Sequence, residues 1–326
     1  MMPLRPPSRL RTVDWQILTA ECVERIYRDE ADRWQRLLDW ETAPRWEEIE
    51  QRRRAGTAPG IAVLNEQGAV VGWCHYTIRH KVLRITTFNA ADDRVGQLMA
   101  ERLLGGAALT YVDRVSLFAF TDYAGLVQAM RAKSLSVDRY WYLGRDTERG
   151  TLPLLPALRN WRPADARATA ALLERAYGPG TDTRPFAPGG TPDEWTAYVS
   201  DLIEGTDGTT LLPEASLCLP AGPDRLVALA LVSRIADSTA HLTQLIVDPQ
   251  MRRRRLATQL LELASAASAR AGCRRLTVTV AGGNRPGRAL LEGLRFRTMG
   301  SFLAAGVFQP RRSTSVAPGA ALMTRR

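Results

Sequence analysis

Apolar residues recur along this chain at two spacings, and the order of these spacings predicts its helices and strands. In the second half, helical spacing predicts helices at about 165–177, with Asp165 as the N-cap, and at about 191–204, with a start at Thr191. Alternating or β-branched runs predict strands at about 215–219, 226–234, 242–247 and 275–280. A helix opened by Arg252, a second helix near 288–294, and closing strands at 296–308 and 320–325 complete this half.

The first half repeats this order with few residues in common. Helices are predicted at about 19–28 and 32–54, with a break near 43–44, and strands follow at about 61–64, 69–78 and 82–88. A helix at about 92–104, a strand at 112–120, a helix at 123–133 and a strand at 137–143 come next. The order α–α–β–β–β–α–β–α–β thus occurs twice, and residues 145–156 read as the connection. We therefore predict two domains, 1–150 and 151–326.

The stretch from Leu245 to Ala264 carries the strongest chemical signal. A largely apolar run from Leu242 to Val247 is ended by Pro249, and four consecutive arginines then open a helix. A strand that feeds a helix start gathers unpaired backbone N–H groups at one point, which favours phosphate, and guanidinium groups strengthen that preference. The alternative is a solvated charge run. Arginines at a helix N-terminus oppose its dipole by about 0.3–1 kcal/mol each, which favours an anionic ligand over that alternative.

The charge and composition of the chain argue against some classes of function. The net charge is +10, and 22 of the 44 basic but only 14 of the 34 acidic residues lie after residue 155, so that half carries +8. Basic stretches interleaved with aromatic residues are missing, so nucleic-acid binding stays a minor third alternative. The sequence has no long apolar run and no signal-peptide pattern, and we predict a cytoplasmic protein that binds no membrane.

Cysteines and histidines show no metal-binding pattern. The four cysteines lie far apart, at positions 22, 74, 218 and 273, and are predicted to be reduced. With three histidines and no ligand spacing, we expect no metal site.

Two motifs in the second half resemble the signatures of the GNAT N-acetyltransferase superfamily. Val247-Asp-Pro249 followed by Arg252-Arg-Arg-Arg255-Leu-Ala257 is similar to that family's V-x-P strand end and R/Q-x-x-G-x-G/A helix start. Asn284 and the run Leu290-Leu-Glu-Gly-Leu294-Arg-Phe296 are similar to its second signature, an asparagine and then L-x-x-L-G-F. Residues 158–165 and 322–325 resemble the family's usual entry and exit. Arg255 and Arg295 stand where the family has glycine.

The resemblance implies an α+β fold of two GNAT-like domains, each a mixed, mostly antiparallel sheet flanked by helices. It also implies that the second half binds acetyl-coenzyme A, or another acyl-coenzyme A, as co-substrate and transfers the acyl group to a small-molecule amine. The residues implied in cofactor binding are Leu245, Ile246, Val247, Arg252, Arg253, Arg254, Arg255, Leu256, Ala257, Thr258 and Asn284. At the place of a glycine, Arg255 is expected to keep a negative φ with its side chain turned away, or to fold over a phosphate.

Candidate catalytic residues are fewer. The family's usual tyrosine acid corresponds to Leu291, so Tyr177 and Tyr198 are other candidates for the acid. His241 is the candidate base, with Glu214 as an alternative, because a base lowers the cost of deprotonating the amine. Arg184 and Phe186, in a loop rich in Gly and Pro, are the candidate acceptor-binding residues.

The first half lacks the arginine signature. Asp92 and Asp93 would stand at its corresponding helix start, where they complement the dipole themselves and repel a pyrophosphate. We therefore predict a degenerate first half that has lost or weakened cofactor binding. The rival function is a GNAT-fold module that binds coenzyme A or regulates without turnover, which Leu291 and Arg255 favour. Oligomeric state is not predicted.

Overall fold

The computed structural model describes residues 9–38, 46–79, 82–105, 112, 114–117, 124–133, 135–148, 157–178, 186–187, 189–205 and 209–306. The predicted order of elements is present in both halves over these residues. The predicted strand at 320–325, the exit motif at 322–325 and most of the predicted connection lie outside them.

The first half is a five-stranded sheet flanked by helices, with strand order β1-β2-β3-β4-β5. Only β4 and β5 are parallel, and the other neighbours are antiparallel. Its core lies between α3 and the sheet. The elements of this half are β1 (Arg11–Asp14), α1 (Ala20–Leu38), α2 (Trp46–Arg54), β2 (Gly60–Leu64), β3 (Val70–Arg79), β4 (Val82–Ala90), α3 (Asp93–Leu104), β5 (Arg114–Leu117), α4 (Ala124–Ala132) and β6 (Ser136–Asp146).

The second half is built on a sheet of order β13-β6-β12-β11-β10-β9-β7, with β8 paired to β10. Here too one neighbouring pair, β11 and β12, is parallel. The elements are β7 (Arg159–Asn160), α5 (Ala166–Tyr177), α6 (Pro192–Glu204), β8 (Thr210–Leu211), β9 (Leu217–Pro220), β10 (Leu226–Ala236), β11 (Thr239–Val247), α7 (Leu256–Arg270), β12 (Arg275–Ala281), α8 (Arg285–Gly293) and β13 (Arg297–Gly306).

Strand β6 joins the two halves. It follows α4 of the first half, yet it lies between β12 and β13 and is antiparallel to both. Strand β13 of the second half in turn runs beside β5 of the first. The division into domains at residue 150 stays a prediction, and the sheet pairing of β6 crosses it.

The two faces of the second sheet carry different cores. One face packs against α7, and Leu242, Leu260 and Val278 are buried there. The other face packs against α5 and α6, with Trp195 and Ile246 in its core. Further along this second face, Leu38 of α1 covers β6 and β13. Residues of the second face near the end of the β11–β12 ladder therefore lie between elements of both halves.

Local sequence explains most element ends. Thr191 begins α6 through a capping box: its hydroxyl accepts from the N–H of Glu194, whose carboxylate accepts from the N–H of Thr191. Asp165 is the N-cap residue of α5, as predicted, but its carboxylate makes no capping bond and instead accepts from the Arg162 N–H and binds Arg159. No helix among the described residues is long and apolar enough to cross a membrane.

Candidate active site

An opening between β11 and β12 is the main feature of the second half. Their parallel pairing ends at Leu242 and Val278, although β11 continues to Val247 and β12 to Ala281. Beyond that point β11 stays paired with β10, and β12 stays paired with β6. The two strands therefore separate, and the stretch of β11 beyond Leu242 is about 16 Å long.

Backbone donors of β11 face this opening. The N–H of Asp248 donates to the carbonyl of Val227 on β10. Because antiparallel donors alternate, the N–H of Ile246 also points to β10, whereas those of Leu245 and Val247 point toward β12. Of these three residues, Leu245 and Val247 therefore offer N–H groups to the opening.

Asp248 fixes the turn that follows β11. Its buried carboxylate accepts from the N–H of Gln250 and forms ion pairs with Arg175 at 3.3 Å and Arg225 at 3.6 Å. Burial by itself raises the pKa of this carboxyl, but the Gln250 hydrogen bond and the two guanidinium groups outweigh it and hold the pKa below its ordinary value. The turn into α7 is therefore anchored by a charged group.

The N-terminus of α7 borders a pocket of about 430 Å³. No side chain of the described residues caps this helix, and its first described helical hydrogen bond runs from the N–H of Gln259 to the Arg255 carbonyl, at 3.1 Å. The first turn thus presents backbone N–H groups at a positive helix end, which suits an anion. The residues that line the pocket are Val247, Met251, Arg252, Arg253, Arg255, Leu256, Ala257, Thr258 and Leu290.

The four arginines precede the helix rather than open it, since α7 begins at Leu256. All four are exposed. Arg252 donates to the carbonyl of Ala176 at the end of α5, at 2.9 Å, so its side chain ties two elements together. Arg254, in contrast to the other three, lies outside the lining of the pocket.

The expectation of a negative φ at Arg255 is wrong. Its φ is 61°, in the left-handed region, and Arg295 at the second glycine position has a φ of 64°. Both residues thus keep the backbone that glycine would adopt and carry a guanidinium group there. Each left-handed arginine costs about 1–2 kcal/mol relative to ordinary helical backbone.

Helix α8 contributes less to the chemistry than its motif suggests. The side chain of Asn284 caps it by accepting from the N–H of Gly287 at 2.9 Å. Leu290 lines the pocket, but Leu291, at the place of the family's tyrosine, is buried in the core with α7. That position therefore offers no proton donor.

His241 lies one residue before the last paired position of β11 and β12, opposite Thr277. Its Nδ1 is 2.9 Å from the Thr277 hydroxyl, and its ring stacks on Tyr142 of β6 with centroids 5.9 Å apart. The candidate base thus lies where the strands begin to separate and contacts the strand contributed by the first half.

A cluster of aromatic rings surrounds one buried amide on the same face. Gln244 accepts from the hydroxyl of Tyr177 at 2.9 Å and donates to the hydroxyl of Tyr198 at 2.7 Å. Phe186 packs against both tyrosines, with ring centroids 5.5 and 5.1 Å away. The structure therefore brings Phe186, Tyr177 and Tyr198 together, while Arg184 lies outside the described residues. Glu214 is exposed.

Sequence reasoning missed Gln244, Thr277 and Tyr142. Gln244 gave a signal, because it is a polar residue within the otherwise apolar end of a strand. Tyr142 gave none, since its partner strand belongs to the other half of the chain.

The corresponding helix start in the first half is closed by an acidic side chain. The Asp92 carboxylate caps α3 by accepting from the N–H of Val95 at 2.9 Å. Asp93 accepts from the N–H of Ala124 at the start of α4. Asp92 thus occupies a backbone donor of α3 that an anion would need, whereas Asp93 occupies one at the start of α4. Among the described residues, no cluster of three His, Cys, Asp or Glu side chains is arranged to hold a metal ion.

Comparison with known proteins agrees with this geometry. The model of the acetyltransferase (GNAT) family matches residues 182–296. This match lies within the second half and covers α6, the opening between β11 and β12, the arginine run and the Asn284 helix. No curated protein matches the sequence.

Solved structures show that the fold extends over both halves. A GCN5-related N-acetyltransferase from Sphaerobacter thermophilus superposes with a TM-score of 0.61 at 16% identity, over 92% of this chain and 96% of its own. A tandem GNAT protein from the clavulanic acid biosynthesis pathway superposes with a TM-score of 0.51 at 15% identity, over 91% and 98%. At such identities the likeness concerns the fold, which is that of two GNAT-like units.

Proposed function

We propose that the second half of this protein binds acetyl-coenzyme A, or another acyl-coenzyme A, and transfers the acyl group to a small-molecule amine. The observation that carries the proposal is the uncapped start of α7, whose backbone donors and three lining arginines border one pocket at the end of the β11–β12 opening. A pyrophosphate fits this donor set, because helix N-termini and guanidinium groups both favour phosphate.

The residues along β11 suit the remainder of such a ligand. Leu245 and Val247 direct N–H groups into the opening, where they would hold an extended arm and polarise a carbonyl oxygen. Bound acetyl-coenzyme A supplies a thioester carbonyl as the electrophile. The protein then has to place an amine beside it and accept a proton, since deprotonating an amine of pKa about 10.4 at pH 7 costs about 4.6 kcal/mol.

His241 is the residue we assign to that proton transfer, and the cluster of Gln244, Tyr177, Tyr198 and Phe186 is the surface we assign to the acceptor. Both lie on the sheet face opposite α7, so the acceptor would approach from the other side of β11. The first half, with Asp92 as the cap of α3, is proposed to bind no acyl-coenzyme A.

A second function, a GNAT-fold module that binds coenzyme A without turnover, is favoured by the burial of Leu291. Titration calorimetry with acetyl-coenzyme A tests both functions at once, because each of them requires the chain to bind this nucleotide. We expect one molecule bound per chain. Absence of binding at about millimolar ligand would exclude both functions.

Variants within the arginine run sharpen the test. Arg255→Ala removes one lining charge, worth about 1 kcal/mol under water-like screening, and should weaken binding about fivefold. Arg254→Ala removes the same charge outside the pocket lining and is the matched control, with little expected change. Equal weakening by both variants would indicate general charge attraction instead of a pyrophosphate site.

Transfer itself is measured as release of coenzyme A thiol in the presence of a set of primary amines. Release that depends on one class of amine supports the enzyme. Tight binding with no release across the set favours the non-catalytic module. Binding that collapses steeply with salt and is displaced by any polyanion would instead support nucleic-acid association.

A further inference from the structure

The Thr277 hydroxyl lies between two partners that restrict its single proton. Thr277 is fully buried on β12, and its Oγ1 donates to the carbonyl of Ala240 at 3.1 Å. The same oxygen lies 2.9 Å from Nδ1 of His241. A carbonyl only accepts, so the hydroxyl proton belongs to the Ala240 contact, and the hydroxyl oxygen must accept from the ring.

That arrangement determines which ring nitrogen of His241 carries hydrogen. A neutral imidazole has one N–H, and a hydrogen bond from Nδ1 to Thr277 places it there. We infer that Thr277 is a positioning residue that holds His241 as the Nδ1–H tautomer, with the lone pair on Nε2. The inference deepens the proposed function, because it assigns the atom that would take up the amine proton.

Tyr142 restricts the ring a second time, from the other half of the chain. Its side chain is fully buried, and its ring lies within 6° of parallel to the His241 ring. Tyr142 stands on β6 opposite Thr279, two residues beyond Thr277 on β12. The hydrogen bond fixes one ring nitrogen and the stacking fixes the ring plane, so Nε2 is held in one direction.

The chemical consequence is a base that needs no rearrangement. Nε2 takes up the ammonium proton of the acceptor, the freed amine nitrogen bonds to the thioester carbon, the carbon–sulfur bond breaks with its electron pair on sulfur, and the second proton of the nitrogen passes to the coenzyme A thiolate. The Nδ1–H bond to Thr277 is the same before and after this step. A histidine in the other tautomer would present a proton at Nε2 and could not accept one there.

Nitrogen-15 spectroscopy of the whole chain tests this without any substrate. The sequence has three histidines, so long-range proton–nitrogen spectra of protein labelled in histidine contain three ring systems. At about pH 8.5, above the ordinary histidine pKa of about 6.5, the ring of His241 should show a protonated Nδ1. His241→Gln assigns the signals by removing one set.

Two substitutions provide the contrast. Thr277→Val keeps the shape and removes the acceptor, so the tautomer should shift toward the Nε2–H form. Thr277→Ser keeps the hydroxyl and should retain the wild-type spectrum. The signals of His75, which is buried and stacks on Trp15 and Trp73, report whether each variant is folded.

A protonated Nε2 in the wild-type protein would overturn the inference, whatever the variants do. An unchanged Nδ1–H form in a folded Thr277→Val variant would overturn it as well. The thiol-release assay reads the proposed function separately. The expected tautomer without any acetyl transfer would leave the positioning role intact and refute the enzyme, and the converse result would refute only the positioning role.

Discussion

Arg255 and Arg295, two of the three described arginines with left-handed backbone, provide a quantitative test of how charge and helix ends interact here. Arg255 immediately precedes α7 with a φ of 61°, and Arg295 follows the end of α8 with a φ of 64°. Both are exposed. Replacing either with glycine relieves about 1–2 kcal/mol of backbone strain and adds about 0.5–1 kcal/mol of unfolded-chain entropy, so these two contributions are nearly equal at the two sites.

The helix dipole should change the stability of the two variants in opposite directions. Removing a positive charge from the N-terminus of α7 should stabilise the fold by about 0.3–1 kcal/mol, whereas removing one from the C-terminus of α8 should destabilise it by a similar amount. Arg255→Gly should therefore raise the free energy of unfolding by about 0.6–2 kcal/mol more than Arg295→Gly does.

Urea unfolding of the ligand-free variants at low salt measures this difference, provided that the two transitions have equal slopes. The difference should shrink at about 1 M salt, where the Debye length is about 3 Å. Equal effects of the two substitutions, or a larger gain from Arg295→Gly, would refute the account. Such a result would mean that the positive charge of Arg255 does not destabilise the start of α7 in the free protein.

Three further substitutions test other parts of the structure. Asp92→Ala removes the cap of α3 and should lower the free energy of unfolding by about 1 kcal/mol without creating a second acetyl-coenzyme A site, as calorimetric stoichiometry would show. The lowered pKa of Asp248 means that its charge stabilises the fold above its ordinary value of 3.8 and that this contribution is lost as pH falls further. The stability gap between Asp248→Asn and the wild type should therefore narrow from pH 7 to about pH 3. Leu291→Tyr should overpack the core and cost about 1–3 kcal/mol in urea unfolding without increasing thiol release.

For each of these three substitutions, the opposite result would show which part of the account is wrong. A second molecule of acetyl-coenzyme A bound to Asp92→Ala would show that the Asp92 cap alone prevents binding in the first half. A pH-independent gap for Asp248→Asn would mean that the carboxylate is not charged in the fold. Increased thiol release by Leu291→Tyr would place that side chain at the site, not in the core.

Local chemistry made most of the fold predictable. The capping box at Thr191, the acidic start of α3 and the Pro249 strand end each depend on residues within a few positions, so the sequence sufficed to predict these boundaries. The repeated order of elements predicted two similar units for the same reason. The start of α7 was misplaced because an arginine is a poor guide to a backbone conformation that normally requires glycine.

The site was less predictable, because it depends on contacts between distant segments. The opening between β11 and β12 arises where each strand keeps a different outer neighbour, and β6 comes from the other half of the chain. Gln244 and Thr277 are ordinary strand residues until their partners on α5, α6 and β11 are known. His241 could be proposed from its strand, but its tautomer and its contact with Tyr142 required the folded chain.

The pairing of β6 with the second sheet has a consequence for how this protein can change. Deleting the first half would remove β6 and leave β12 and β13 with unpaired edges. Selection on the second half therefore extends to residues 136–146 of the first. A chain that lost the first half would need another strand in the place of β6 between β12 and β13.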